Sequence, residues 1–370
     1  MHYGGPGMNA YRLYSKAKPG TFEITLVHGN PDHSRYDLFE RQVMVRALRG
    51  SSWDQVQFIR AARRWVAEHA RECDVFHGLQ GFDLTVLPAF EAQRRGLPSV
   101  VKLAAHQSDL ADKPGWRRWL GRPRQRRSLI RDLSAVIAIS TAIRDELRSY
   151  GIPDSKIALI PNGVDTDQFH PAAAPSDKPR LRGELGWADR PTVLFVGGIN
   201  TRKRPHLLVE ALGLLHQRGV EAQVVLAGPL ERQAYADEIR RRTQDLRIDD
   251  MVIWQGFTSD PAPLYRAADI FALPSANEGM PNALLEAMAS GLPSVVTPIS
   301  GSLDLVTEGV SGCVISPAAA PIADALATYL ERPAAAIAHG QAGRDRISRE
   351  YGHHAVLAQH LALFRQIIHG

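Results

Sequence analysis

The stretch DIFALPSANEGMPNALLEAMASGLPSVVTP, residues 269–298, reads as strand, turn, helix and strand. DIFALPS is an apolar run closed by Pro274 and Ser275, and LPSVVTP is a second run bounded by prolines. Between them Pro281 suits the first position of a helix, where its missing N–H costs nothing. The amides of Asn282, Ala283 and Leu284 are then left unpaired and aimed at the preceding loop. A helix start of that kind is a ready anion site. Glu278 stands before the helix, and Glu286 stands inside it among Leu284, Leu285, Ala287, Met288 and Ala289. A carboxylate in so apolar a helix needs a partner, and the vicinal hydroxyls of a ribose would serve. The plainer alternative is that Glu286 points at solvent and Glu278 is a surface loop residue.

The same alternation extends along the whole chain. FEITLVHG, CDVFHGL, LPSVVKLA, LSAVIAIS and IALIPNG are strand candidates in the first half, with helices read at about 53–71, 84–95 and 141–150. Ser140 is placed to cap the third helix and Gly151 to end it. PTVLFVGG, AQVVLAGP, MVIWQGF, DIFALPS, LPSVVTP and SGCVISP follow in the second half. Short β-branched runs alternating with amphipathic stretches predict parallel sheets covered by helices. HPAAAPSDKPR, residues 170–180, has no periodic apolar face and reads as a linker, which predicts domains at 1–172 and 173–352. The C-terminal YGHHAVLAQHLALFRQII reads as one helix, about 353–370, able to pack back on the first domain. Two doubly wound α/β domains favour a ligand in the crevice outside the carboxyl ends of their strands.

Composition agrees with this frame. The 370 residues are 44% hydrophobic and 22% charged, enough apolar mass for two cores and too much for wholesale disorder. Two cysteines, Cys73 and Cys313, exclude a disulfide framework and a Cys-rich metal site, and fit a reducing compartment. No apolar run reaches the ~18 residues of a membrane helix, and the opening MHYGGPGMNA lacks the basic and apolar regions of a signal peptide. A soluble, cytoplasmic protein is expected. Residues 1–170 hold 25 Lys/Arg against 18 Asp/Glu, and the remainder hold 19 against 21. The excess concentrates between Lys113 and Arg131, where eight basic residues and Trp116 and Trp119 occur with no acid. Such a stretch suits an anionic membrane or a phosphate-bearing, lipid-linked acceptor. A solvated basic face, arginines paired with carboxylates elsewhere in the chain, and nucleic acid are the competing readings, though no RNA-reading module accompanies the stretch and nucleic acid is not the expected partner.

The glutamate pair in NEGMPNALLEAMASGLP resembles the donor-site signature of the retaining GT-B glycosyltransferases of glycosyltransferase family four. SAVIAISTAIRDELRSYGIPDSKIALIPNGVDTDQFHP at 134–171, VLFVGGINTRKRPHLLVEAL at 193–212, VVLAGP at 224–229 and QGFTSDPAPLYRAADIFALPS at 255–275 match further motifs of that family in its order. The resemblance implies a GT-B fold, two Rossmann-like domains facing across a cleft, and transfer of a hexose-type sugar from a nucleotide diphosphate donor, UDP rather than GDP, to an acceptor hydroxyl in glycan, glycolipid or cell-envelope polysaccharide synthesis. It places Glu278 by the transferred sugar and Glu286 on the ribose, with Gly228, Phe257 and residues 279–284 also on the donor. Lys203 implies a diphosphate clamp, but Gly198 stands where the family usually has its arginine, so Arg202 or Arg204 is expected to substitute.

The opening YGGPGMN resembles the family's glycine loop, which makes Gly4 and Gly5 donor-site candidates. Only three residues precede the loop, leaving no room for the strand implied there and pointing to a late start codon or an unusual sheet. Of the two histidines that follow strands, His106 in KLAAHQSD is the candidate at the reacting centre, and His77 in DVFHGLQ reads as structural. No Asp-x-Asp cluster stands at a strand end, and Asp165 and Asp167 belong to the PNGVD turn, so neither metal nor other cofactor is expected. Catalysis then falls to His106, Lys203 and Glu278. Three rivals remain: another enzyme on the same scaffold, such as a sugar-nucleotide epimerase or a phosphorylase; a catalytically silent sugar-nucleotide-binding homologue, motivated by Gly198 and the short start; and a nucleic-acid-binding protein using residues 113–131.

Overall fold

The computed structural model describes residues 6–18, 20–29, 41–48, 51–104 and 122–369. The chain forms two compact units, residues 1–162 with 354–370, and residues 163–353. In the first unit β1 (Thr25–His28) pairs in parallel with β2 (Arg41–Met44) as a small separate sheet. β3 (Phe76–Gly78), β4 (Ser99–Leu103), β5 (Ala135–Ala138) and β6 (Ile157–Leu159) follow one another as a four-stranded parallel sheet. Neighbouring residues on a strand face opposite ways. Phe76 accordingly meets Val66, Ala92 and Leu97 from the helices Ser52–His69 and Asp83–Arg94 and the turn after them. On the other face Val100, Ala135 and Ile137 join Leu13 of the helix Pro6–Tyr14 and Val356, Leu357 and Leu363 of the helix His353–His369. The C-terminal helix is thus part of the first unit's core. Ser51 and Asp54 form a reciprocal capping box on the helix Ser52–His69, and Ser140 Oγ accepts from Ile143 N at 3.4 Å at the start of Thr141–Ser149.

The second unit holds β7 (Thr192–Val196), β8 (Gln223–Ala227), β9 (Val252–Gly256), β10 (Ile270–Leu273), β11 (Ser294–Val296) and β12 (Gly312–Val314). They lie in the order β12-β11-β10-β7-β8-β9, all parallel. Counted within the unit this is the 3-2-1-4-5-6 order of a doubly wound sheet. β8 and β10 are buried along their whole length, which explains their uninterrupted apolar sequences. The order reverses between β7 and β10, so the loops leaving those two strands flank a topological switch point.

The division of the chain falls at Asn162 rather than at the expected 172/173, for a local reason. Val164 bridges to Gly352, its N–H donates to Tyr351 O at 2.9 Å, and Phe169 is buried with its ring edge-on to Tyr265. Part of the expected linker is also helical, over Lys178–Glu184. Its Lys178 and Arg182 bind Asp269 at 2.9 and 2.5 Å, and Asp269 in turn accepts from Thr192 N at 2.8 Å. Among the described residues no helix is long and apolar enough to cross a membrane.

Candidate active site

The loop after β7 starts with two glycines under different constraints. Gly197 has φ +153°, and a Cβ there would lie 2.8 Å from Lys203 Cδ. Gly228, after β8, has φ +145°, and its Cβ would meet Gly197 O at 2.0 Å. Only glycine fits either place, so the two loops touch through backbone and the Lys203 stem lies across Gly197. Asn200 then folds the chain: its Oδ1 accepts from Lys203 N at 2.9 Å and its carbonyl from Arg204 N at 3.2 Å. Arg204 closes the turn at φ +52°, a left-handed conformation that costs a side-chain-bearing residue on the order of 1 kcal/mol. Ala276 N donates to Arg202 O at 2.7 Å, tying this turn to the loop after β10.

Across the switch point Glu278 receives both cations. Lys203 Nζ lies 2.7 Å and Arg202 Nη1 2.9 Å from the same oxygen, Glu278 Oε1, and Ser275 Oγ donates to that oxygen at 3.1 Å. Arg202 also donates to Asn277 O at 2.8 Å. The Glu278 side chain is 12% exposed and that of Lys203 13%, while Arg202 is half exposed. Burial pushes the Glu278 carboxyl up, but Lys203 and then Arg202 outweigh it and hold the group below the usual carboxylate range.

The helix Asn282–Ala289 starts one residue later than expected: Pro281 is its cap, at ψ 111°, not its first helical residue. The Pro281 carbonyl accepts from Leu284 N at 3.1 Å and from Leu285 N at 3.3 Å, so the Leu284 amide is already used inside the helix. Gly301 lets the next helix press on the loop, since its Cβ would sit 2.5 Å from Met280 Cα and 2.6 Å from Gly279 O. At the other end Arg344 donates to the Ala289 carbonyl, a cation at the negative pole of the helix. Glu286 does not simply point at water. Its Oε2 accepts from Tyr265 OH at 2.9 Å, and the buried tyrosine also donates to Ala283 O at 3.2 Å.

Lys203, Arg202, Glu278, Gly279, Met280, Pro281, Asn282, Ala283, Leu284 and Glu286 therefore sit on the two loops and one helix at the switch point, with Gly228 beside them as a backbone spacer. Phe257, after β9, is 48% exposed. Gly4, Gly5 and His106 lie outside the described residues, as does the basic stretch up to residue 121. Within its described part Arg126 Nε binds Asp83 Oδ1 at 2.7 Å, Arg127 lies 3.7 Å over the Tyr150 ring and Arg131 donates to Tyr150 O at 3.3 Å. Those three arginines are engaged within the first unit. His77 is partly buried, with Nδ1 2.8 Å from Tyr14 OH. At position 198 a Cβ would lie 2.2 Å from Oε1 of the exposed Glu231 side chain. Sequence reasoning missed Ser275, Asn200, Glu231 and Tyr265. The first two stand within three residues of Glu278 and Lys203, and that proximity was the available signal. Among the described residues no three His, Cys, Asp or Glu side chains gather as a metal site would require.

Two family profiles tile the chain: a glycosyl transferase 4-like domain over residues 4–163 and glycosyl transferases group 1 over residues 177–346. The chain is 32% identical over 249 residues to an alpha-maltose-1-phosphate synthase of Mycobacterium tuberculosis, covering 63% of each protein. It is 30% identical over 223 residues to the GDP-mannose-dependent alpha-(1-6)-phosphatidylinositol monomannoside mannosyltransferase of Mycolicibacterium smegmatis, covering 58% of this chain and 57% of that one. The matches thus span less than two thirds of these relatives' length. In fold it is similar to Anabaena Alr3699/HepE, solved with UDP and glucose, with a TM-score of 0.79 at 21% identity over 97% of this chain and 95% of that one. WaaG, a glycosyltransferase involved in lipopolysaccharide biosynthesis, gives a TM-score of 0.73 at 18% identity over 100% of this chain and 97% of that one. The architecture is GT-B.

Proposed function

Because this chain belongs to the glycosyl transferases group 1 family, we propose that it transfers a hexose-type sugar from a nucleoside diphosphate sugar to an acceptor hydroxyl in glycan or glycolipid synthesis, with retention at the anomeric carbon. The observation that carries this reading is the meeting of Lys203, Arg202 and Glu278 at the switch point, two cations and an acid on one oxygen. Lys203 and Arg202 bind the diphosphate, Arg202 serving as the second cation that position 198 lacks. Glu278 receives hydroxyls of the transferred sugar, and Glu286, held by Tyr265, receives the ribose.

Bond breaking leaves negative charge on the diphosphate and positive charge on the anomeric carbon. The cations and the Asn282 and Ala283 amides stabilise the first, preorganised in a partly dry site. The acceptor oxygen attacks from the face the diphosphate leaves, and the departing phosphate oxygen takes its proton. No protein nucleophile or metal enters these steps. The acceptor is lipid-linked and anionic, met by the first unit's basic stretch at the cytoplasmic face of a membrane. Salt-sensitive pelleting with anionic but not neutral liposomes tests that part.

The mannosyltransferase relative is named for GDP-mannose and HepE was solved with UDP, so both bases belong in the main test. It is a thermal-shift panel of UDP, GDP, UDP-glucose and GDP-mannose, followed by release of the nucleoside diphosphate and the anomeric configuration of the product. A ligand at 100 times its Kd stabilises by about 2.7 kcal/mol. Absence of any shift and of any turnover with both sugar nucleotides would sink the proposal.

A further inference from the structure

The clamp described above already contains an anion. Glu278 Oε1 occupies both cations at 2.7 and 2.9 Å, and Ser275 Oγ at 3.1 Å makes a third donor on that one oxygen. A carboxylate oxygen has two lone pairs, so Oε1 is fully engaged by the protein. Lys203 and Glu278 are both largely removed from water, and whichever loses its partner there is left as a buried, uncompensated charge. A diphosphate that takes Lys203 and Arg202 supplies the cations with a new anion, but it strands the carboxylate.

We infer that Glu278 makes this site discriminate between a diphosphate that carries a sugar and one that does not, by competing with the diphosphate for Lys203 and Arg202. This rests on the function proposed above. When the ligand is a sugar nucleotide, hydroxyls next to the phosphates donate to the carboxylate as the cations leave it, and every charge keeps a partner. A bare nucleoside diphosphate brings the same phosphates and no such hydroxyls, so Glu278 competes at full strength. The same competition acts once the sugar has moved to the acceptor: Glu278 recaptures Lys203 and lowers the affinity of the spent nucleotide. Specificity for the loaded donor and release of the product then come from one contact.

The test is calorimetry of UDP, GDP, UDP-glucose and GDP-mannose with the full chain and with Glu278→Gln, an isosteric amide that cannot compete as an anion. UDP or GDP is expected to bind the variant about tenfold more tightly than wild type, the equivalent of about 1.4 kcal/mol. The sugar nucleotide is expected to bind it no more tightly, so that the preference for the loaded donor collapses. Unchanged or weaker nucleoside diphosphate binding, in a variant that melts like wild type, overturns the inference. Should Glu278→Gln fail to fold, Ser275→Ala decides: it keeps every charge and removes the donor that stays with Oε1 once the diphosphate has taken both cations, so nucleoside diphosphate binding should weaken two- to threefold while sugar nucleotide binding changes less, and no change or a tightening overturns the idea. If the wild-type chain binds none of the four ligands, the functional reading itself fails and the inference falls with it.

Discussion

Among the described residues, one group of titratable side chains in each unit handles charge in a way opposite to the other. In the second unit Lys203 and Arg202 lie within 2.9 Å of Glu278 and hold its carboxyl below the usual range in spite of its burial. In the first unit Tyr14, His77, Lys102 and His360 meet under the C-terminal helix, with no carboxylate among them. Tyr14 OH is 2.8 Å from His77 Nδ1, and the His77 and His360 rings are 5.9 Å apart. Burial there lowers His77 far below its ordinary range, His360 to about 4 and Lys102 to about 8, and raises Tyr14. A site that must receive charge keeps its own charges paired; a core that only packs weakens its bases, leaving the histidines neutral.

The largest expected effect is at the paired cluster. Lys203→Ala should cost about 2 to 4 kcal/mol of transition-state stabilisation, as expected for losing one preorganised donor to developing negative charge. Arg202, being half exposed, should cost less. kcat/KM for both variants checks the order, and an Arg202→Ala variant with full turnover would remove it from the clamp.

The unpaired cluster should show itself through pH. His360 is held neutral in the folded chain down to about 4, whereas an unfolded histidine takes a proton below about 6.5. The unfolded state therefore binds more protons across that window, so the contribution is complete above pH 6.5 and is lost as pH falls to 4. His360 alone supplies on the order of 3 kcal/mol, and His77 acts in the same direction. Lys102 adds the same sign between about 8 and its ordinary 10.5. Urea unfolding at pH 7.5 and 4.5, with hydrogen exchange on residues 354–369, measures it. His360→Phe should flatten the slope, and an unchanged slope would refute the assignment.

The central strands β4, β5, β7, β8, β10 and β11 were legible in the sequence because they are buried on both faces and read as apolar runs between Gly and Pro. What escaped lacked that signature. β2, RQVM, is half polar and pairs only with β1. The helix Pro333–Glu350 buries Gly340, Gly343 and Ile347, and a Cβ on Gly340 would meet Gly291 O at 2.0 Å, so it packs through missing side chains rather than an apolar stripe. The arginine-rich helix Arg122–Asp132 has scarcely any apolar face to detect. At the site Lys203, Glu278 and Glu286 were readable from local motifs. The Tyr265–Glu286 bond and the Tyr14, His77, Lys102 and His360 cluster were not, because each joins elements brought together only by the fold.

A smaller effect should separate Glu286, the carboxylate proposed for the ribose, from its support. Glu286→Ala is expected to weaken UDP or GDP binding by about 2 kcal/mol, as when a charged hydrogen-bond acceptor is removed. Tyr265→Phe keeps the ring between Phe169 and Phe271, at 5.7 and 6.1 Å, and removes only the hydroxyl that orients Glu286. It should cost about 1 kcal/mol. Equal affinity for wild type and Glu286→Ala in calorimetry would take the ribose away from this residue.

The smallest expected effect concerns position 198, where the clamp departs from the family pattern. If Arg202 already supplies the second cation, Gly198→Arg should change kcat/KM less than about threefold, under 1 kcal/mol. Space decides the detail: the new Cβ would lie 2.2 Å from Glu231 Oε1, so the exposed Glu231 side chain must swing aside, and it then stands beside the new guanidinium as its counter-ion. An exposed pair of that kind contributes up to about 1 kcal/mol, enough to hold the arginine away from a diphosphate. The double variant Gly198→Arg with Glu231→Ala removes that hold. It should gain over Gly198→Arg alone, and the gain should grow when Arg202→Ala is added, because the new arginine then has a vacancy to fill. A single Gly198→Arg variant that raises kcat/KM tenfold would instead mean that Arg202 never completed the clamp and that its bond to Glu278 serves the loop alone.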